Sequence, residues 1–430
     1  MGQSWRNWSG GQTCTPGEYR RPATESGIRE VVARAADATR TVRVAGAGHS
    51  FSPVVPTDEV LCSLERYTGL VDVDPEAGRV TARAGTPLWA LNESLAVQGL
   101  AMENLGDVDR QAVAGAMATG THGTGQELGI LATQLTGMTL VTADGERLEL
   151  TEADGDRFRA AQVSLGALGV IADVTLDVEP AYRLRRRRYT LPLETCLERY
   201  DELRSEHRHF EFFWFPHTDQ ALVKVLDRTD DSPSRSGGVL EDLGERAANG
   251  AWEALCRLGT RVPKTARFGA RLAARTLSSD TTVAPSHESF AHARNVRFNE
   301  TEYGVPVEEG PAAMRAIRDV ANADPTVQFP IEFRVVAGDD IPLSPATGRD
   351  SAFIAVHKYH RKPYRSYFDA CEQVFDRFDG RPHWGKLHTK DASELAGLYP
   401  EWETFQSIRR ELDPEGLFLN DHLRTVFGLE

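Results

Sequence analysis

Six stretches of the chain are patterned regularly enough to predict elements in its first 180 residues. Ile28, Val31, Val32 and Ala35 share one face of a helix over residues 27–40. The alternation in TVRVA (41–45) predicts a strand, which runs straight into the turn GAGHS. VDVDPEAGRVTARAG (71–85) reads as a hairpin turning at Pro75–Gly78, and MTLVTADGERLEL (138–150) as another with Asp-Gly at its turn. Between them, TPLWALNESLAVQGL (86–100) predicts a helix capped by Thr86 and ending near Gly99. ALGVIADVTLDVEP (167–180) predicts the strand that closes this region.

The texture then changes to longer helices and aromatic strands such as HFEFFWFPH (209–217), which puts a domain boundary near residue 180. RLRRRRY (183–189) alternates as a solvated strand. TDDSPSRSGGVLEDLGERAANG (229–250) predicts a polar surface loop leading into a helix. No internal repeat or low-complexity tract interrupts this order.

Composition narrows the class. A chain of 430 residues exceeds one simple core, so two or three domains are expected. The net charge of −14 argues against nucleic acid as a partner, because phosphate binding wants a basic surface. Cys14, Cys62, Cys196, Cys256 and Cys371 are scattered without short spacings, which suits a reducing compartment and neither a disulfide framework nor a zinc site. MGQSWRNWSGG has no basic start and no apolar core, and no run of 18 apolar residues follows. A cytoplasmic protein without a membrane span is expected, with peripheral membrane association left open.

Four segments hold residues able to do chemistry. In VAGAGHS (44–50) the glycines let a backbone come close to a ligand. The third glycine of a dinucleotide fingerprint is missing and Pro53 follows, so this is a phosphate-type loop without its helix. NLGDVDRQAVAGAMATGTHGTG (104–125) offers amides and hydroxyls suited to a pyrophosphate. In FPIEFRVV (329–336), Glu332 and Arg334 project together while Ile331, Phe333 and Val335 face the core. RPHWGKLHT (381–389) brings His383, Trp384 and Lys386 into one short segment. Each alone has a plain structural reading: a surface ion pair for Glu332 and Arg334, ordinary packing for His383-Trp384, satisfied histidines for His122 and His357. Their occurrence together, in this order, shifts the balance.

The combination resembles the aldonolactone oxidoreductases, FAD enzymes of the vanillyl-alcohol oxidase superfamily, and the related alditol oxidases. VAGAGHSFSP, the 104–125 segment, FEFFWFPHTD, FNETEYGVP, FPIEFRVV, HWGK and DPEGLFLNDHLRTVFG carry the resemblance, which spans nearly the whole chain. It implies an α+β, two-domain fold: a PCMH-type FAD-binding domain over 1–180, a cap domain over 181–410 built on an antiparallel sheet flanked by helices, and a segment, 411–430, returning to the first. It implies FAD bonded covalently through His49, with Ala45, Gly46, Ala47, Gly48, Ser50, Gly106, Asp107, Gly115, Thr119, Thr121, His122, Gly123, Gly125 and Ile171 forming the cradle. No metal is implied.

Oxidation of a carbinol by hydride transfer to flavin N5 would then fall to four residues. Arg334 and Lys386 would stabilise developing charge and hold substrate oxygens. Glu332 would accept substrate hydroxyls, and His357 would contact the substrate or assist proton removal; a glutamate kept ionised by arginine is a weak base. Ala112, where alditol oxidase has serine, favours a lactone. Gly106 leaves the flavin edge open to oxygen, with O2, a quinone or a redox protein as the acceptor. Two other readings stand beside this one: a polyol oxidase forming an aldose and hydrogen peroxide, and a non-catalytic flavin-binding protein.

Overall fold

A computed structural model describes residues 3–234, 250, 252–260, 264–275, 279–291 and 296–429. The strand expected after residue 41 is Val42–Ala45, paired in parallel with Val60–Ser63, which pairs in turn with Glu18–Arg20. The helix before it, Glu25–Asp37, starts where the Thr24 hydroxyl accepts the Gly27 N–H, and it buries Ile28, Val32 and Ala35. Both expected hairpins form, as Leu70–Asp74 with Arg79–Arg83 and Leu135–Val141 with Arg147–Thr151. Val170–Asp177 joins them into one antiparallel five-stranded sheet. Thr86 does not cap the following helix, Leu88–Val97, whose N-cap is Pro87. Its hydroxyl is committed instead to the Arg83 carbonyl at 2.6 Å and to the Gly69 N–H at 2.9 Å.

Beyond residue 180 the chain builds an antiparallel sheet of eight strands among the described residues. Their order is Asp280–Pro285, Arg183–Pro192, Gln220–Arg228, His209–Trp214, Ile331–Val336, Ser351–Tyr359, Phe298–Pro306, Arg381–Pro382. Strict alternation divides its two faces. Phe210, Phe212, Val223, Phe333, Ile354 and Tyr303 enter an apolar core with the helices Gly310–Ala323 and Arg365–Asp376. Their neighbours Glu211, Lys224, Glu332, Arg334, His357, Glu300 and Glu302 are buried on the opposite side. The arginine-rich strand is half-exposed and held by acids, Arg187 facing Asp227 at 3.5 Å and Arg188 facing Asp280 at 2.9 Å. Of the loop expected at 229–250, residues 235–249 lie outside the described residues.

A second large core belongs to the first half of the chain but is completed from the far end. Trp384, Leu395, Tyr399, Trp402, Phe405, Phe418 and Phe427 pack with Ile28, Val42 and Leu61. Val336, Ile341, Leu343, Ala346 and Phe353 also belong to this core, and from Trp384 onward the chain stays with it, ahead of the return expected at 411. The helices Ala392–Leu398 and Trp402–Leu412 bury their apolar sides there. Arg43 fastens the join: its buried guanidinium donates to the carbonyls of Val54, Leu165, Gly166 and Phe418.

Candidate active site

The GAGHS turn leaves its strand at Ala45 and is covered by the chain's own beginning. Gly48 has φ +72°, and its carbonyl accepts the Trp8 N–H at 2.8 Å. The Trp8 ring stacks on His49, with centroids 6.0 Å apart and planes 24° apart. His49 lies where two cavities meet, one of about 450 Å³ and one of about 110 Å³. Burial, and then the nearby charge of Lys386, lower its pKa to about 4, so the imidazole is neutral.

The smaller cavity is a slot walled by small residues: Gly46, Ala47, Gly48, Ala112 and Gly115, with Ile171 and Thr119 beside them. A Cβ built on Gly115 would meet nothing within 4 Å, so this wall stands back from an open groove. Ala45 is fully buried at the strand end, and Gly123 and Gly125 also lie off both cavities. A Cβ on Gly123 would strike Asn104 Oδ1 and the Leu105 carbonyl at 2.4 Å, so that glycine serves packing. Gly125, at φ +153°, donates its N–H to the Val335 carbonyl at 2.8 Å. Thr124 bonds the Phe210 carbonyl, tying this segment to the large sheet.

The larger cavity gathers the rest. Ser50, Gly106, Thr121, His122, Asp107, Glu332, Arg334, His357 and Lys386 all line it. Arg334 is ion-paired with Glu332, with Asp107 at 2.6 Å and with Glu211 at 2.8 Å. Burial works against its charge, but the surrounding carboxylates outweigh that and hold its pKa well above the usual arginine value. Asp107, expected as a cofactor contact, is thus also an arginine partner. Glu211 stands opposite Arg334 on one neighbouring strand and opposite Lys224 on the other, meeting Lys224 at 2.6 Å.

Two strands along the same face, Lys386 reaches Glu300 at 2.5 Å and Glu302 at 3.6 Å. His357 Nε2 lies 3.4 Å from Glu300 and His122 Nε2 lies 3.2 Å from Glu302. Burial pushes Glu300 upward, but Lys386 and then His357 prevail and bring it to about 2. Burial holds His383 down to about 3, and its Nδ1 accepts the Gly385 N–H at 3.0 Å. Sequence reasoning missed Glu211, Lys224, Glu300 and Glu302. Glu211 and Lys224 carry the signal that exposes Glu332 and Arg334, a charge between apolar strand neighbours; Glu300 and Glu302, beside Asn299 and Thr301, do not.

With this charged cavity beside a glycine slot, the chain is an FAD-linked oxidoreductase, the class that its family models and relatives define. A model of the FAD binding domain matches residues 16–151. A solvent-stable cholesterol oxidase superposes with a TM-score of 0.81 at 19% identity, over 99% of this chain and 97% of that one. A xylooligosaccharide oxidase from Myceliophthora thermophila gives 0.74 at 14%, over 97% and 93%.

Within that class the chain belongs to the aldonolactone oxidoreductase family. The family model described as D-arabinono-1,4-lactone oxidase matches residues 174–426. L-gulono-1,4-lactone dehydrogenase of Mycobacterium tuberculosis is 42% identical over the full length of both chains. L-gulonolactone oxidase of Mus musculus is 34% identical, over 99% of this chain and 98% of that one. Alditol oxidase of a Streptomyces species is 32% identical, over 99% of each. The protein binds FAD, and the slot fits it: glycines at 46, 48 and 115 let main-chain N–H groups approach a pyrophosphate. Among the described residues no helix is long and apolar enough to cross a membrane.

Proposed function

We propose that this enzyme oxidises the carbinol beside the carbonyl of a sugar-derived 1,4-lactone of the gulono, galactono or arabinono type, with FAD bonded to the chain through His49. The observation that carries the reading is the convergence of His49, Glu332, Arg334 and Lys386 on one cavity. FAD supplies the hydride acceptor. His49, held neutral, keeps a ring lone pair for a bond to carbon. Arg334 and Lys386 present buried positive charge where negative charge develops. Glu332, kept ionised by Arg334, accepts hydrogen bonds from substrate hydroxyls and orients the reacting carbon, and His357 contacts the substrate from the same cavity.

The family model and the similarity to an L-gulono-1,4-lactone dehydrogenase support the lactone over an open-chain polyol. Gly106 lines the larger cavity without a side chain, and O2 is the acceptor we assign; a Cβ there would sit tightly, 3.0 Å from the His122 carbonyl. Gly106→Ala is expected to slow turnover with O2 while leaving turnover with an artificial dye within about twofold. The five cysteines are all unpaired, which supports the cytoplasm as the site of action.

The test begins with the visible spectrum of the purified protein and acid precipitation. Yellow colour in the pellet, moved to the supernatant by His49→Ala, supports the covalent bond; colour in the wild-type supernatant removes it. Turnover of L-gulono-1,4-lactone supports the lactone reading. The similarity to an alditol oxidase gives a second reading, which peroxide formation from xylitol, with none from the lactone, would favour.

A further inference from the structure

The strand Phe298–Pro306 carries two buried carboxylates, Glu300 and Glu302, on the one face it turns to the cavity. Nothing in the lactone chemistry described above uses them. Lys386 sits between them, and each is backed by a histidine. In both histidines Nδ1 faces a main-chain carbonyl, Gly123 at 2.9 Å for His122 and Pro330 at 3.1 Å for His357. A carbonyl can only accept, so Nδ1 carries a hydrogen in each ring and Nε2 is the atom turned to the carboxylate. Each ring is thus fixed by a main-chain carbonyl on one side and stands with Nε2 against a glutamate on the other.

Asp107, Glu211, Glu300, Glu302 and Glu332 are five buried carboxylates around this cavity, against the three cations Lys224, Arg334 and Lys386. An ammonium left in such a cavity without anchors would swing toward the nearest free carboxylate or toward solvent.

We propose that Glu300 and Glu302 are positioning residues that together fix the Lys386 ammonium over the reaction space, each backed in turn by His357 or His122. This rests on the role given to Lys386 above. Removing one carboxylate has two opposed effects. It makes the cavity more positive, which favours an electron-rich reduced cofactor and raises its reduction potential. It also frees Lys386, which slows hydride transfer. A role through charge alone would therefore speed the reductive step, and a positioning role slows it.

The experiment is stopped-flow reduction of the FAD-loaded enzyme by L-gulono-1,4-lactone in Glu300→Gln, Glu302→Gln, Lys386→Met and the two corresponding double variants. Cofactor content and melting temperature are checked first, and the aspartate variants at 300 and 302 provide conservative rescue. The expected result is a limiting reduction rate at least tenfold lower in each glutamine variant, with substrate affinity within threefold and a more positive cofactor potential. Partial recovery is expected in the aspartates. In the Lys386→Met background the glutamine changes should add less than twofold, because they act through the lysine. Unchanged or faster reduction in both glutamine variants, with Lys386→Met slow, would overturn the inference and leave the role of Lys386 standing. Normal reduction in Lys386→Met would overturn both. A glutamine variant too unstable to load FAD is replaced by its aspartate, in which full wild-type rates at both positions also count against the inference.

Discussion

Single residues decide what the slot can hold. Gly115 faces open groove, so a side chain there projects into cofactor space without touching the protein. Gly115→Leu should fold with an unchanged melting temperature in the absence of FAD yet lose at least 90% of its bound flavin, read from the ratio of absorbance at 450 nm to that at 280 nm. The contrast is Gly85, where a Cβ would come within 2.0 Å of the Leu64 carbonyl. Gly85→Ala cannot be accommodated without moving a strand, and loss of soluble folded protein is the expected outcome. His49 and the glycine turn were legible from their spelling, as were Glu332, Arg334 and Lys386. Gly123 and Gly125 were misassigned because glycine is demanded equally by close packing and by ligand approach, and composition cannot separate the two.

At the scale of elements, the alternation along each strand was readable and the pairing between strands was not. Glu211 is spelled FEFFW and Lys224 LVKVL, each a charge among apolar neighbours. Only the register sets them opposite one another, with Arg334 on Glu211's other side. His357 likewise meets Glu300 because those two residues are register partners across 57 positions of chain. Cutting one member of such a chain of charges leaves its partners buried and uncompensated, at a cost of about 3–5 kcal/mol. Glu211→Gln should lower the melting temperature clearly, and adding Lys224→Met should recover part of the loss, measured by thermal unfolding of the apoprotein. An additive double variant would show that the pair is not coupled. The cap of the helix at 88 went astray for a related reason: Thr86 had the right chemistry, but a neighbouring strand end claimed its hydroxyl.

The whole molecule stores its sensitivity to acid in buried imidazoles. His209, His383 and His388 are each held at about 3, burial being the main cause in all three. In the unfolded chain they titrate near ~6.5. Below that pH the unfolded state binds protons that the native state refuses, so stability falls as pH drops from about 6.5 and levels only near 3. The slope is about 1.4 kcal/mol per pH unit for each imidazole fully held back. With His49 and His422 held at about 4 as well, the apparent melting temperature should fall steadily between pH 7 and pH 5, and His209→Asn should flatten that fall by about a fifth. A profile flat over this range would contradict it. The change of texture near residue 180 was legible in the chain, whereas the antiparallel sheet beyond it was expected only from the family resemblance. The early return of the chain at Trp384 was not, since HWGK drew notice for its chemistry and not for its packing.

That early return also dictates when the enzyme can mature. A ribosome delivers the chain from its beginning, and Ile28, Val42 and Leu61 emerge long before Trp384, Phe405 and Phe418, which complete their core. Until then Arg43 lacks one of its four carbonyl partners, and the apolar side of the first core stands uncovered. The nascent protein must be sheltered through more than three hundred further residues of synthesis. Flavin can be sealed in only afterwards, so slower translation or a stall before residue 384 would yield aggregates and not a colourless soluble enzyme.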